Sequence, residues 1–418
     1  MKYKEKSIVI ILGSYPNDSE AFITNHIVGL IDKGYKVRLS VSKINSILGS
    51  SQEATIRSYN IQSLIFNTDF SYPKYKLSKL LLFFLLVLKN LNLVSVFLKI
   101  LVKEKTNKVY KCFELVNFKK KFSDNLYHIQ FATNGKSLLR YKALGLFKES
   151  KVFVTFHGYD AHFNSINFKS RKKQFKNLFN YANGVIVNSK YLKNKIIMLG
   201  CPEYKIHKIG ISYNSKIFSP KDNYKIEKPL KIISVGRLTE LKGQVYGLRT
   251  IKFLKDKNYN VIYTIIGYGK DREILKEEIK LLNLENEVKF LGKKTQSDIA
   301  IILKQNDVFL MTSIKDNDNR SEAFGLVNVE AQVAGLPVIA FNSGGVSESL
   351  KNNITGFLVK EKDVEAMAES VISFIDNPEQ IKTMGLNASK HAMKSFNATE
   401  ITNKHIKIYE KEFEETIK

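Results

Sequence analysis

Residues 308–340 read VFLMTSIKDNDNRSEAFGLVNVEAQVAGLPVIA, and this stretch decides the predicted fold. An apolar run at Val308–Met311 precedes a polar loop, an amphipathic stretch over 323–335 and a second apolar run at Pro337–Ala340. Strands that are apolar on both faces are typical of parallel sheets covered by helices. The stretch therefore predicts a strand–helix–strand unit whose helix ends at Gly335.

The same alternation runs along the whole chain. Predicted strands are Ser7–Leu12, Lys36–Val41, Ile61–Phe66, Leu126–Gln130, Val152–Phe156, Gly184–Asn188, Lys231–Val235, Val261–Ile266, Val288–Phe290, Val308–Met311 and Pro337–Ala340. Predicted helices lie at about 20–33, 77–103, 136–147, 168–182, 189–199, 242–256, 271–283, 295–305, 323–335 and 363–376. The pattern favours an α/β protein with two doubly wound, Rossmann-like domains facing across a cleft, with ligands at the carboxyl ends of the strands.

Composition shifts suggest where these domains end. A polar segment with two prolines surrounds residue 221, so we expect an N-terminal domain over 1–220 and a second domain over 221–396. A last helical pattern at 397–418 follows the final strand–helix unit. This helix could cap its own domain or cross back onto the first domain, and the sequence leaves both open.

Composition also excludes several classes of protein. The chain has 418 residues, of which 44% are hydrophobic, too many for a disordered chain. Cys112 and Cys201 can form neither a disulfide framework nor a zinc site, which favours a reducing, cytoplasmic compartment. No secretory signal is predicted, and the longest apolar run, Leu80–Leu88, is far shorter than the roughly 20 residues that a membrane span needs.

Charge is distributed unequally between the two halves. The formal net charge is +26, but residues 1–220 hold 36 basic and 12 acidic residues, whereas residues 221–418 hold 30 and 28. A lysine bias of the genome would enrich both halves, so the asymmetry needs a local explanation. The first half is therefore expected to meet an acidic partner.

Two glutamates eight residues apart carry the strongest chemical signal. Glu322 precedes the predicted helix at the strand-end side of the sheet, and Glu330 lies about two turns further along. At that helix start, the backbone N–H groups of Phe324, Gly325 and Leu326 would be free to bind an anion. The alternative is a capping acid and a solvated surface charge.

This segment resembles the E-x7-E motif of the retaining glycosyltransferases of family 4, which have the GT-B fold. Three further segments resemble motifs of that family, each after a predicted strand: Gly236–Gly243 (GRLTELKG), Ile266–Arg272 (IGYGKDR) and Asn342–Glu348 (NSGGVSE). In the first half, Tyr15–Ile23 and Thr155–Asp160 resemble family segments more weakly. The resemblance covers essentially the whole second half.

The resemblance implies roles for particular residues. It implies that Arg237 and Lys242 bind the diphosphate of a nucleotide-sugar donor, Glu322 contacts the donor sugar and His157 lies at the attack site, which makes these four the candidate catalytic residues. The other candidates for donor binding are Glu330, at the ribose, and Phe324, Gly325, Leu326, Gly13, Gly236, Gly267 and Gly292. Gln130 and Asn134 are weaker candidates for lining the acceptor cleft.

The function implied is that of a metal-independent, retaining glycosyltransferase that needs no cofactor. It would move a hexose from a nucleotide diphosphate sugar, UDP-sugar rather than GDP-sugar, to a lipid-linked or oligosaccharide acceptor in bacterial exopolysaccharide, capsule or O-antigen synthesis. One alternative keeps the fold but not the reaction: a sugar-nucleotide epimerase or an inactive scaffold. A basic nucleic-acid-binding protein is a second alternative, disfavoured because no helix-turn-helix, RNP or zinc-finger pattern is present.

Residues 76–102 suggest a second partner. Clusters of Leu, Phe and Val alternate there with Lys79, Lys89 and Lys99, which on one continuous helix gives a broad apolar face opposite a basic one. The segment is either a core helix with lysines at its solvent positions or a docking surface for an anionic membrane. The second interpretation predicts a cytoplasmic protein that is peripheral at the inner face of the plasma membrane.

Overall fold

The computed structural model describes residues 7–66, 72, 75–122 and 126–414. Within them, seven parallel strands form a first sheet and six form a second. The first sheet contains β1 (Ser7–Tyr15), β2 (Lys36–Ile44), β3 (Ile65–Phe66), β4 (Leu126–Gln130), β5 (Lys151–Phe156), β6 (Gly184–Val187) and β7 (Ile206–Lys208). The second contains β8 (Leu230–Val235), β9 (Val261–Ile266), β10 (Val288–Gly292), β11 (Val308–Met311), β12 (Val338–Phe341) and β13 (Gly356–Val359).

Helices connect successive strands and cover the sheets. They are α1 (Ala21–Asp32), α2 (Glu53–Ser58), α3 (Lys76–Leu88), α4 (Val94–Lys103), α5 (Lys108–Lys121), α6 (Lys136–Ala143), α7 (Phe168–Tyr181), α8 (Lys190–Met198), α9 (Gln244–Asp256), α10 (Arg272–Leu281), α11 (Gln296–Lys304), α12 (Leu326–Val333), α13 (Val364–Asp376), α14 (Pro378–Ser395) and α15 (Ala398–Glu414). The predicted α/β class with two doubly wound sheets is confirmed.

The strand order shows where a ligand crevice can form in each sheet. The orders are β3-β2-β1-β4-β5-β6-β7 and β10-β9-β8-β11-β12-β13. In each sheet the order turns back at the first strand, β1 or β8, so the loops after these strands diverge and leave a crevice. The inner strands β4, β6, β11 and β12 are wholly buried, as the continuous apolar runs predicted, whereas the edge strands β3, β7 and β10 are partly exposed.

The last helix packs on the first domain. Helix α15 contacts α1 and β5, and its Ile401, Tyr409 and Phe413 belong to the hydrophobic core of the first sheet. The small size of Gly29 in α1 allows this approach, because a Cβ there would lie 2.1 Å from Thr402 Oγ1. The polypeptide therefore returns to its first domain after completing the second.

Three sequence predictions were wrong in detail. The helix predicted over 77–103 is two helices, α3 and α4, bent by 97° at a break near Asn90, so no single helical face runs through the three lysines. Residues 61–66 form a turn of 3-10 helix and a two-residue strand rather than a full strand. The helix predicted from 323 begins at Leu326, because Gly325 adopts a left-handed conformation and acts as its N-cap.

Candidate active site

The two sheets face each other across a cleft of about 730 Å³. Its walls are the loops at the carboxyl ends of strands, with Glu20 and His157 on the first-domain side. Arg237, Glu322 and Glu330 line the second-domain side. Parallel α/β sheets bind ligands at this edge, and the cleft is therefore the candidate active site.

Lys242 and Glu322 form an ion pair in the wall of the cleft. Lys242 Nζ lies 2.5 Å from Glu322 Oε2, and both side chains are only about 15% exposed. The turn that carries Lys242 packs directly against the loop after β11. Gly243 in this turn has a φ of 61°, and a Cβ there would lie 2.1 Å from the Thr312 carbonyl oxygen, so the contact requires glycine. Two loops that are 80 residues apart in sequence thus present one cation and one carboxylate side by side.

Arg237 follows β8 and is exposed to the cleft. Among the described residues, no ion pair or side-chain hydrogen bond joins its guanidinium to another group. Burial raises the pKa of Glu20, across the cleft, an effect that a hydrogen bond from Asn17 and the positive charge of Arg237 partly offset. A planar guanidinium that is free to form two parallel hydrogen bonds suits a phosphate.

Glu330 is a buried carboxyl group on α12. Its side chain is 6% exposed, and its hydrogen-bond partner is Gln296 Nε2, at 3.5 Å from Oε1. Burial raises the pKa of Glu330 to about 8, since desolvation disfavours the charged form and the long contact with Gln296 offsets little. Because it is buried, the Glu330 carboxyl group is not a solvated surface charge. Its oxygens can form hydrogen bonds with hydroxyl groups of a ligand.

Helix α12 starts three residues later than predicted, at Leu326 rather than at residue 323. Because the helix begins at Leu326, its first-turn N–H groups belong to Leu326, Val327 and Asn328, and the last of these donates to the Gly325 carbonyl. Leu326 and Val327 line the cleft. The side chain of Phe324 is buried, with its ring centroid 5.4 Å from that of Phe396. Phe324 and Gly325 line the cleft as well, so the anion site at Phe324, Gly325 and Leu326 stays a prediction.

Of the five predicted glycines, Gly325 lines the cleft at the start of α12, and the other four divide into two pairs. Gly236 and Gly267 line the cleft, and a Cβ on Gly267 would lie 1.8 Å from the Gly236 carbonyl oxygen, so only glycine lets these loops touch. Gly13 and Gly292 do not line it. Gly13 lies inside β1, which extends to Tyr15, and faces the Asn134 side chain. Gly292 ends β10, and the lysines after it reach the cleft instead.

His157 is held in one orientation. Its Nε2 lies 2.7 Å from Gln130 Oε1, and an amide oxygen can only accept, so Nε2 donates. The ring lies between Phe22 and Phe131, at centroid distances of 4.4 and 4.6 Å. Burial lowers the pKa of His157 to about 3, which leaves a neutral imidazole whose buried Nδ1 has no partner among the described groups. Gln130 and Asn134 do not line the cleft, and Gln130 instead positions His157.

A buried polar network extends from this histidine to the last helix. His128 on β4 lies 2.6 Å from the hydroxyl of Tyr409 on α15 and 3.1 Å from His26 on α1. His405, also on α15, lies 4.5 Å from His26 between ring centroids. These imidazoles are neutral, because burial lowers the pKa of His405 to about 4 and those of His26 and His128 well below their usual value. Sequence analysis missed this network, since its members are spread over 380 residues.

Sequence analysis also missed cations in the cleft. Arg320 lines it and is oriented by the buried Asp316, whose Oδ2 accepts from Nε at 2.7 Å. Lys195, Lys270, Lys293 and Lys294 line it as well. Arg320 could have been noticed, because only eight of the 66 basic residues are arginines. In the described part of the chain, no cluster of three or more His, Cys, Asp or Glu side chains could hold a metal ion.

The two domains touch beside the site. A hydrogen bond of 2.7 Å joins Ser189 Oγ to the Ala323 carbonyl, and Lys208 pairs with Glu348 at 2.8 Å. Gly158, next to His157, faces Ala323 so closely that a Cβ there would lie 2.8 Å from the alanine methyl group. His157 thus lies against the loop that carries Glu322.

The sequence and the fold of this chain are similar to those of known glycosyltransferases. Residues 215–391 match the family model of the group 1 glycosyl transferases. The chain is 28% identical to the amylovoran biosynthesis glycosyltransferase AmsK of Erwinia amylovora, over 92% of this chain and 94% of the relative. It is 25% identical to the putative colanic acid biosynthesis glycosyltransferase WcaL of Escherichia coli K12, over 86% and 88%. Its fold is similar to that of Anabaena Alr3699/HepE, crystallised with UDP and glucose, with a TM-score of 0.69 and 18% identity over 97% of this chain and 100% of that one.

Proposed function

We propose that this chain is a group 1 glycosyltransferase, because residues 215–391 match that family, and that it transfers a hexose from a nucleotide diphosphate sugar to a glycan acceptor with retention of anomeric configuration. One observation carries the proposal: the paired Lys242 and Glu322 line the same cleft as the free guanidinium of Arg237 and the neutral His157. A group of cations opposite a hydrogen-bonding wall suits a diphosphate on one side and a sugar on the other.

The donor we propose is a UDP-sugar rather than a GDP-sugar. The solved structure of Alr3699/HepE, which shares the fold, contains UDP and glucose, and this supports the choice of base. Glu330 would accept hydrogen bonds from the ribose hydroxyls, because its buried carboxyl group has acceptor capacity that Gln296 does not fill. Gly236 and Gly267 would let the donor approach the backbone at the ends of β8 and β9.

The chemical step needs a stabilised leaving group. The bond between the anomeric carbon and the diphosphate oxygen breaks, and negative charge grows on the diphosphate. Arg237 and Lys242 would stabilise that charge more in the transition state than in the ground state, which lowers the barrier. On this proposal, two side-chain cations and the N–H groups at the start of α12 act where other enzymes use a metal, and no cofactor is required.

Retention requires the acceptor oxygen to attack on the face from which the diphosphate leaves. The acceptor oxygen forms a bond to the anomeric carbon while its proton passes to the departing phosphate oxygen, so no strong protein base is needed. His157 fits this scheme as a neutral group: Nε2 is engaged by Gln130, and the buried Nδ1 would have to become accessible in order to accept a hydrogen bond from a donor-sugar hydroxyl. Glu322 would contact the sugar once the diphosphate draws Lys242 away.

The acceptor we propose is a lipid-linked glycan of bacterial surface polysaccharide synthesis. The two relatives reported above are named for amylovoran and colanic acid biosynthesis, which supports that class of acceptor. Such a glycan would be elongated in the cytoplasm, at the inner face of the plasma membrane.

Donor hydrolysis and transfer measured with UDP- and GDP-sugars test the proposal. We expect Glu322→Ala, Arg237→Ala and Lys242→Ala to lower the rate by about 10²–10³-fold each, with unchanged folding. Lys280→Ala, on the outer face of the second domain, is the matched control. Wild-type rates in all three variants would overturn it. An inverted anomer, loss of activity with chelators, or release of an epimerised sugar would each contradict its finer part.

A further inference from the structure

Helix α3 leaves a large apolar surface uncovered. Leu77, Leu80, Leu81, Phe84 and Leu88 recur along one side of the helix at intervals of three or four residues, and they are 50–82% exposed. The opposite side carries Phe83, Leu86 and Val87, which are partly buried against the small core formed with α4 and α5. The helix is thus apolar on both sides, although only one is covered within the described chain.

The exposed face of α3 belongs to a helix that is too short to span a bilayer by itself. No single described helix is long and apolar enough to span a bilayer; the pair Leu77–Leu88 and Leu91–Lys103 reaches that length only together, with a bend of 97°. Helix α4 buries Val96, Phe97 and Ile100 in the domain core. Helix α4 also exposes Leu98 and Val102, but α3 presents the more continuous apolar face. Because α4 is anchored in the domain core, we expect α3 to enter an apolar medium only at shallow depth.

Cations border this surface. Residues 75–122 contain eleven lysines but only Glu104 and Glu114 as acids. Both glutamates are engaged within the domain, Glu104 with Lys111 and Arg140, and Glu114 with Arg140, Ser137 and Tyr141. Acidic side chains of this segment therefore neutralise few of its lysines, and the net positive charge can attract an external partner.

A groove joins the apolar and the basic features. It has a volume of about 450 Å³ and lies between α3 and the loop that leads into α5. Lys79, Lys105 and Lys108 line it together with Leu80 and Phe83. Lys79 Nζ lies 5.2 Å from the ring centroid of Tyr72, and Lys108 opens the 14-residue helix α5, whose N-terminal N–H groups favour an anion.

We infer that the exposed face of α3 docks on an anionic lipid bilayer, with the groove taking a phosphate-bearing headgroup. Charge complementarity decides the occupant. A soluble apolar partner would cover the leucines but would not need the surrounding lysines, whereas an anionic bilayer uses both, since apolar burial and attraction of basic residues act together at its surface. The inference goes beyond the proposed reaction, because it concerns the first domain and assigns no role in catalysis.

Cosedimentation of the full chain with vesicles tests this inference. We expect binding to vesicles of equal parts phosphatidylcholine and phosphatidylglycerol, weaker binding at high salt, and little binding to phosphatidylcholine alone. Leu81→Glu with Phe84→Glu, and separately Lys105→Glu with Lys108→Glu, should each lower the partition coefficient at least about tenfold. These side chains are exposed, so folding should be unaffected.

Matched controls lie on the second domain. Leu281→Glu changes an exposed leucine, and Lys280→Glu with Lys289→Glu reverses two exposed lysines, so both should bind vesicles like the wild type. Equal binding to neutral and anionic vesicles, or unchanged binding by the α3 variants, would overturn the inference. So would a dimer in sedimentation velocity without lipid that Leu81→Glu dissociates, because the occupant would then be a second copy. Hydrolysis of the donor should persist in all these variants, which separates this test from that of the proposed reaction.

Discussion

The ammonium group of Lys242 lies 2.5 Å from the carboxylate of Glu322, so the cation proposed to bind the donor diphosphate already has a carboxylate as its partner. A ligand phosphate must compete with this ion pair. On the proposed mechanism, Glu322 would therefore tune the strength with which the site holds the diphosphate, before and after the sugar has left.

The variant Glu322→Gln should bind UDP more tightly while transferring sugar more slowly. Removing the carboxylate leaves Lys242 unneutralised, and a partly buried ion pair of about 1 kcal/mol corresponds to a gain of about fivefold in UDP affinity. Isothermal titration calorimetry gives the affinity. Lys242→Met should weaken UDP binding, and identical UDP affinities in the wild type and Glu322→Gln would show that the pair does not compete with the ligand.

Glu330 should make donor affinity depend on pH. Its raised pKa of about 8 means that the free protein holds it protonated at neutral pH, whereas ribose hydroxyls donate to the carboxylate form. Donor binding should therefore strengthen as the pH rises from 6.5 to 8.5, with release of a proton. Titration of a UDP-sugar at several pH values measures this. Glu330→Gln should bind more weakly and with a flat profile over that range, and a slope that survives this substitution would assign it to another group.

The contact between Gln130 and His157 should affect turnover more than donor binding. Gln130→Leu removes the acceptor of the Nε2 proton, so the imidazole can exchange tautomers and turn its Nδ1 away. We expect kcat to fall by about tenfold with a smaller change in the donor KM. Gln130→Glu keeps an acceptor and should retain the tautomer in ¹⁵N NMR of His157, whereas Gln62→Leu is an exposed control. An unchanged tautomer in Gln130→Leu would contradict this role.

Tyr409 should anchor the returning helix α15 to the first domain. Its ring is buried, and its hydroxyl shares a hydrogen bond of 2.6 Å with His128. Tyr409→Phe leaves that buried partner less well satisfied, so the free energy of unfolding should fall by about 1–3 kcal/mol. Denaturant titration measures the loss. The exposed Tyr204→Phe should have no effect, and a silent Tyr409→Phe would mean that packing alone holds the helix.

The buried imidazoles should make the first domain labile in acid. His26, His128 and His405 have lowered pKa values in the folded protein, so the unfolded chain binds more protons below pH 6.5. Their contribution is complete above that pH and is lost as the pH falls. The free energy of unfolding should drop between pH 6.5 and 5, by up to about 1.4 kcal/mol per pH unit for each histidine. His405→Gln should reduce the slope, whereas His391→Gln, in the half-buried surface of α14, should change it less.

The candidate site was predictable where its residues follow one another along the chain. Glu322, Glu330, Arg237 and Lys242 stand in short motifs after predicted strands, and the structure brings all four to one cleft. Gly13 and Gly292 were chosen on the same principle but lie outside it, because strand β1 runs three residues further than predicted and the lysines that reach the cleft follow Gly292, at the end of β10. The residue at which a strand ends decides which side chain reaches the carboxyl edge of the sheet. Strand propensity predicts that residue only to within a few positions.

The sequence by itself determined the alternation of buried strands and helices, hence two parallel sheets and the edge where ligands bind, since apolar periodicity depends on neighbours in the chain. Only the tertiary structure decided that Tyr409 and His405 return to the first domain, that Gln130 positions His157, and that the apolar stretch after residue 76 bends near Asn90 and leaves one face of α3 uncovered. These contacts and the uncovered face of α3 depend on which surfaces of the helices and sheets stay accessible once the core has packed. Contacts between residues hundreds of positions apart leave no periodic trace in the sequence.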